Sequence, residues 1–474
     1  MFRWILAGAL FFSAVAGFAV PAAAVENHVP SPMTLPEAVA YALQHNPNVA
    51  AQRASLTNAQ HNLALQRGVA WPTVNGTLQS FLAKSANYQG SFAALGVAQQ
   101  SSVSQNTAQV GITNWNLTTG GFSFLALAAS RAEEEQAANT LANTEDQIAT
   151  TVTTSFFSIV QRQAAVAVDV VTLKYQNDLV SVAQIKERAG VAAGVDVLQA
   201  KTSAAKSQSL LVADRASVQD ASESLAQQIG APVQTPFATP TAVPQPPMPN
   251  GSVDTLVNIA QTSRPDIRAA REAVLAARAT RKGWNVELYP QVQISALLGN
   301  QYSPTSSVLE QQQIDEGCFQ QHIFPCPSVA RGSFGFWALQ AVSTFSLPLI
   351  DYNARHSERV NDDAQLASAE STLNSTQLQS ELDVRESYRA AKTAQAQVEW
   401  ATQEASYGVE SARIAQLQYK AGVKTIYDVL QAQQAATSAV NDAVAARVSY
   451  VDAVVKLRVS IGTYDATSAV ADLR

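Results

Sequence analysis

The chain has 474 residues and a formal net charge of −6, with only 14% charged and 7% aromatic residues against an abundance of Ala, Gln, Ser, Thr and Val. That profile suits long, slender helices and speaks against one large globular core, and mild acidity with scattered basic residues excludes a nucleic-acid footprint. The histidines (His28, His45, His61, His322, His356) are scattered, and no nucleophile elbow, phosphate loop or histidine metal motif occurs, so no enzyme, cofactor or metal site is expected.

Met1, Phe2 and Arg3 precede an apolar run from Trp4 to Val20 and then Ala22-Ala23-Ala24. This is the order of a charged n-region, an h-region and a small-residue cleavage site, so residues 1–24 are expected to be an export signal cut after Ala24. The competing reading is an uncleaved anchor, for which the run is short of the roughly 20 residues a spanning helix needs. No cysteine lies near the site to accept a lipid. Past it no continuous apolar stretch of spanning length is found, so any further crossing is expected to use strands.

A duplication organises the rest. Asn46-Pro47-Asn48 matches Arg264-Pro265-Asp266, and Trp71-Pro72 matches Tyr289-Pro290, both 218 residues apart (264 − 46). Farther on, Ala189-Gly190-Val191 matches Ala421-Gly422-Val423, Asp196 to Ala200 matches Asp428 to Ala432, and Ile229-Gly230 matches Ile461-Gly462, all 232 apart (422 − 190). The difference is an insertion, placed in the loop with the two cysteines. The repeats are therefore 25–230 and 251–465, with a proline-rich strap at 231–250 that cannot be helical and a tail at 466–474.

Within each repeat, residues 121–190 and 352–422 lack proline and predict a helix of about 100 Å at 1.5 Å per residue. Val152, Ile159, Val166, Leu173 and Val180 recur every seventh position, with Val384, Ala391, Val398, Ala405 and Ala412 as their partners, a coiled-coil seam of small side chains. A helix returns from each glycine to Ile229 or Ile461. A further helix follows each X-Pro break, so that two shorter helices stacked end to end match the long one.

Between Pro72 and Leu117, and between Pro290 and Leu347, the period changes to two. Ala108, Val110 and Ile112 fall on one face, as do Val292, Ile294, Ala296 and Leu298, with Trp115, Trp337 and Phe345 near strand ends, which suits strands between lipid and water. Two strands per half make four per chain. An open sheet in lipid leaves edge groups unpaired at several kcal/mol each, so several chains are expected to close one barrel, and three would supply twelve strands. Cys318 and Cys326 are expected to pair in an oxidising compartment. A metal site with His322 is the weaker alternative, lacking a fourth ligand.

The motifs Leu35-Pro36-Glu37-Ala38-Val39-Ala40-Tyr41-Ala42-Leu43-Gln44-His45-Asn46-Pro47, Leu347-Pro348-Leu349-Ile350-Asp351 and Tyr419-Lys420-Ala421-Gly422-Val423, the last leading into Thr425-Ile426-Tyr427-Asp428-Val429-Leu430, occur in this order in a duplicated exported chain. Over nearly all of its mature length the chain resembles the TolC family of outer-membrane efflux ducts. The resemblance implies a mainly α fold with a membrane β-barrel: a homotrimer whose duplicated long-helix hairpins form a periplasmic α-barrel and whose strands form a shared 12-stranded barrel in the bacterial outer membrane. It implies passive conduction of substrates delivered by an inner-membrane pump through a periplasmic adaptor protein. Ala189, Gly190, Val191, Ala421, Gly422 and Val423 then become adaptor-contact tips. By motif position Tyr419, Lys424 and Asp428 resemble the residues that narrow the tunnel mouth, with Asp196 as the first-repeat counterpart of Asp428. Gln431 stands where many relatives carry a second aspartate, which weakens any acidic filter.

Physically, Thr425 to Asp428 also reads as a capping box, and Asp196 as a helix-start carboxylate. A periplasmic coiled-coil tether that conducts nothing is the alternative from another class; a duct for secreted polypeptides is the alternative within the family.

Overall fold

Proline suits the first turn of a helix and pushes the residue before it out of the helical region, so Pro47 and Pro265 each begin a helix and end the one before. The computed structural model describes residues 32–69, 71–87, 99–116, 120–240, 243–287, 291–302, 305–306, 335–346 and 352–464. In it α1 spans Leu35–His45 and α2 Pro47–Val69, while their counterparts α5 and α6 span Val253–Ser263 and Pro265–Glu287. The export signal, the C-terminal tail and the Cys318 to Cys326 pairing lie outside the described residues.

The long helices are α3, Gly120–Arg188, and α7, Tyr352–Lys420, of 69 residues each; the returning helices are α4, Gly194–Ile229, and α8, Ile426–Ile461, of 36 each. Both bounds of α5 and α6 trail those of α1 and α2 by 218 (253 − 35), and those of α7 and α8 trail α3 and α4 by 232 (352 − 120). The change of offset thus falls between α6 and α7, where the strands lie.

Those strands are β1, Val74–Asn87; β2, Gln99–Asn116; β3, Gln291–Tyr302; the two-residue β4, Thr305–Ser306; and β5, Gly335–Ser346. They form one antiparallel sheet in the order β1-β2-β3-β5, with β4 beside β2, one short strand more than the four expected. The register sets Val110 opposite Leu298 and Ile112 opposite Ala296, and it sets Val74 opposite Ile112 and Leu78 opposite Ala108. The two apolar faces read from alternation are therefore one continuous face. Val74, Leu78, Val110 and Leu298 on it are exposed. Among the described residues, the outer edges of β1 and β5 pair with nothing.

The helices form a layer. α3 packs on α2 and α6 along one part of its length and on α4 and α8 along another, and α7 packs on α6 and α8. The shorter helices meet end to end because α4 and α8 each finish in a left-handed glycine set against the X-Pro junction. Asn46 Nδ2 donates to the Gln228 carbonyl at 2.9 Å, and Arg264 Nη1 donates to the Ser460 carbonyl, at the matching position of the other repeat, at 3.4 Å. Each bond satisfies a last-turn carbonyl that the helix itself cannot.

The core lies where these junctions cross α3. Phe156, Phe157 and Ile159 of α3 are buried with Val39, Leu225, Ile229 and Val451. Each fully buried side chain of this size contributes about 1.5–3 kcal/mol. The proline strap binds the same level: Met33 N donates to Pro236 O at 2.9 Å and Ala238 N to Met33 O at 2.8 Å, while Tyr450 Oη donates to Pro246 O at 2.9 Å. All ten residues of the heptad seam are buried or half-buried. Small residues allow close approach there: a methyl on Gly408 would meet Ala436 Cα at 3.3 Å.

One stretch within Phe124–Arg188 is, by length and composition, apolar enough to span a membrane, contrary to expectation. It is part of a 69-residue helix that spends its apolar residues on α1, α4 and α8 as well as on open surface.

Candidate functional site: the paired helix tips

At each tip a long helix must release its last carbonyls and reverse. Gly190 and Gly422 do so at φ 70° and 80°, values that glycine adopts without strain. Gly190 N bonds Glu187 O at 2.9 Å and Val191 N bonds Lys186 O at 3.0 Å; Gly422 N bonds Tyr419 O at 3.0 Å and Val423 N bonds Gln418 O at 2.8 Å. Both tips are Schellman turns with the same bonding. Ala189, Gly190, Val191, Ala421, Gly422 and Val423 are all exposed, and the two valines project apolar surface, at 73% and 74% exposure.

The helix starts differ. Thr425 and Asp428 form the expected capping box: Thr425 N donates to Asp428 Oδ2 at 3.0 Å, Thr425 Oγ1 donates to the same oxygen at 2.8 Å, and Asp428 N donates to Thr425 Oγ1 at 3.3 Å. These donors hold the Asp428 carboxyl below its usual range, with Lys424 adding to the effect. Asp428 nevertheless stays exposed. The first tip has Ala193 at the cap position and no side-chain cap, leaving Asp196 in the first turn of α4.

Tyr419 does not stand with Asp428. Its side chain is 3% exposed, in a small core shared by both hairpins that contains Leu179 and Ala183 of α3, Val197 of α4, Ala415 of α7 and Val429 of α8. Burial, then the charge of Asp196, pushes its hydroxyl above the usual tyrosine range. Lys186, which sequence reasoning missed, completes the arrangement: its Nζ lies 4.1 Å from the Tyr419 ring centroid and donates to the Tyr419 carbonyl. The sequence signal was a basic residue in the last turn before a tip glycine, a position favoured by the helix dipole. Here its charge serves α7 as well as its own helix. The expected site thus divides into a latch of buried Tyr419 with half-buried Lys186 and Asp196, and an exposed turn of Lys424 and Asp428.

A family model described as "Outer membrane efflux protein" matches residues 38–231 and 256–463. No curated protein matches the chain. Among solved structures, the fold is similar to that of the outer membrane protein VceC of Vibrio cholerae (19% identity, TM-score 0.71, 90% of this chain and 96% of that one). It is similar also to the CmeC outer membrane channel of Campylobacter jejuni (14%, 0.72, 92% and 88%) and to the open state of the MtrE outer membrane channel of Neisseria gonorrhoeae (19%, 0.68, 91% and 89%). At these identities the likeness is one of fold.

Proposed function

The chain belongs to the outer membrane efflux protein family, and from that membership we propose that it is the passive exit duct of a tripartite efflux or secretion system. Three chains close a twelve-stranded barrel in the outer membrane and continue it as a helical tunnel in the periplasm. An inner-membrane pump supplies the energy, and a periplasmic adaptor protein meets the tips at Ala189 to Val191 and Ala421 to Val423.

The observation that carries this reading is that both layers end openly at their sides. Among the described residues β1 and β5 are the end strands of the sheet, each with a single neighbouring strand, and lipid does not tolerate an open sheet edge. The helical layer stops at α4, packed chiefly on α3, and at α7. Leu198, Leu210 and Val212 of α4 and Leu378, Trp400 and Tyr407 of α7 are exposed. Copies of the chain joined side by side would cover both kinds of edge at once.

Three copies of the exposed Asp428 around a narrow mouth would focus negative potential and draw cations, while Lys186 and Tyr419 hold the two tips of each chain together. The test is reconstitution: purified trimers in planar bilayers should conduct, and Asp428→Ala should weaken block by multivalent cations. Block unchanged by Asp428→Ala would leave Asp428 a cap alone. Inserted trimers that never conduct, even with Asp428 and Tyr419 replaced, would favour the non-conducting tether.

A further inference from the structure

Midway along the first hairpin, Asp169 of α3 is only 6% exposed, and its carboxyl meets that of Asp214 of α4 within hydrogen-bonding reach. Its Oδ2 has no hydrogen-bond partner. In the second hairpin the same two positions, 232 residues on, are Ala401 and Ala446, both half-buried. One repeat therefore places two acidic groups face to face where the other places two methyl groups, in helices of equal length and register.

A buried carboxylate without a cation is costly, and two that touch cannot both ionise cheaply. Among the described residues, no cation acts on Asp169. On α3 the nearest ionisable residues in sequence, Arg162 and Lys174, are exposed, as is Arg215 beside Asp214. On the neighbouring α8, Thr437 faces Thr172 at 3.2 Å; the ionisable residues nearest that level are exposed Asp442, bonded by Ser438 at 3.2 Å, and half-buried Arg447, farther along α8. Across the groove between the hairpins, Arg413 of α7 is held by Glu410 at 2.7 and 2.8 Å.

We propose that Asp169 and Asp214 share one proton while α3 and α4 are packed, and that losing this proton loosens the two helices at mid-length, making the first hairpin responsive to pH at a level where the second carries Ala401 and Ala446 instead. The shared proton turns a repulsive contact into an O–H···O⁻ hydrogen bond. Burial and then the neighbouring charge push the Asp169 carboxyl up to about 6, so the proton leaves as pH rises through that value. The hairpin is tightest below about pH 4, where the opened carboxyl would also be protonated; opening becomes easier by up to about tenfold per pH unit from there to about 6, and levels off above.

Amide hydrogen exchange of the intact protein, corrected for the intrinsic rate, tests this at pH 5 and pH 7.5. In an Asp452→Asn background, which removes the buried carboxyl of α8 that titrates over the same range, segments 165–173 and 210–218 should lose protection at the higher pH, whereas the repeat-equivalent segments 397–405 and 442–450 should not. Asp169→Asn should abolish the difference, and the double change Asp169→Ala with Asp214→Ala, which copies the second repeat, should leave the first hairpin protected at both pH values. Equal pH responses in the two hairpins of the Asp452→Asn protein, or a response that survives Asp169→Asn, would overturn the proposal.

Discussion

Lys186 of α3 caps the end of α7: its ammonium donates to the Tyr419 carbonyl and lies over the Tyr419 ring at 4.1 Å. The same carbonyl accepts Gly422 N at 3.0 Å, so its two lone pairs serve the tip turn of one hairpin and the last turn of the other. Whatever parts the hairpins must break this contact. A half-buried cation at a helix end and over a buried ring contributes in total about 1–2 kcal/mol, a roughly five- to thirtyfold effect on the ratio of joined to separated tips. Lys186→Met, which keeps the apolar stem, should raise single-channel conductance or open probability in bilayers. Lys186→Arg should restore much of the original behaviour.

The glycines that end the helices differ in what surrounds them. Gly422 has open space beside it, whereas a methyl on Gly462 would lie 2.8 Å from Arg264 N and 2.9 Å from Arg264 Cα. Both have positive φ, so replacement by alanine costs about 1–2 kcal/mol at either site from backbone conformation alone. Gly462→Ala should cost distinctly more, because backbone must move, and thermal unfolding of the two variants should show that order.

Arg264 joins the second junction, donating to Asp266 at 2.6 and 3.0 Å, to Asp383 at 3.0 Å and to Ser460 O at 3.4 Å. Its side chain is 13% exposed. Removing it as Arg264→Ala leaves two half-buried carboxylates without their cation, though Ile267 N and Gln379 Nε2 still donate to them at 2.8 Å each, and takes a donor from the Ser460 carbonyl, at a cost of about 2–3 kcal/mol. Arg264→Asn copies the first repeat, where Asn46 reaches Gln228 O at 2.9 Å, and should recover part of the loss in denaturant or thermal unfolding.

Asp452 of α8 is pushed by burial from 3.8 up to about 6, against the pull of Lys456. The folded chain therefore holds this proton more tightly than the unfolded one. The resulting stability is full below about pH 4 and is lost as pH rises through about 6, amounting to roughly 2 kcal/mol once partial exposure is allowed for. Asp452→Asn should leave the unfolding temperature near pH 4 unchanged and raise it at pH 7.5.

Helices and tips were legible because their signals are local. Pro47 and Pro265 break a helix wherever they stand, Gly190 and Gly422 end one, and the absence of proline over 120–188 and 352–420 lets each helix run unbroken. The two offsets of the duplication carried these boundaries from one repeat to the other. Alternation at Ala108 to Ile112 and at Val292 to Leu298 marked strand faces, though only the register of β2 on β3 joined them into one.

The latch was not legible, because Lys186 and Tyr419 are 233 residues apart and no local pattern links them. Motif position grouped Tyr419 with Lys424 and Asp428, yet packing turned its ring into the core between the hairpins and left Asp428 outside. The acidic pair of Asp169 and Asp214 was equally hidden, since each is unremarkable within its own helix. The sequence by itself determined where helices start, stop and repeat, because those choices are made by the backbone within a turn or two. Which charges meet across the helices was decided only by the tertiary structure, because the angular position of a side chain on a 69-residue helix acquires meaning from the neighbour packed against it.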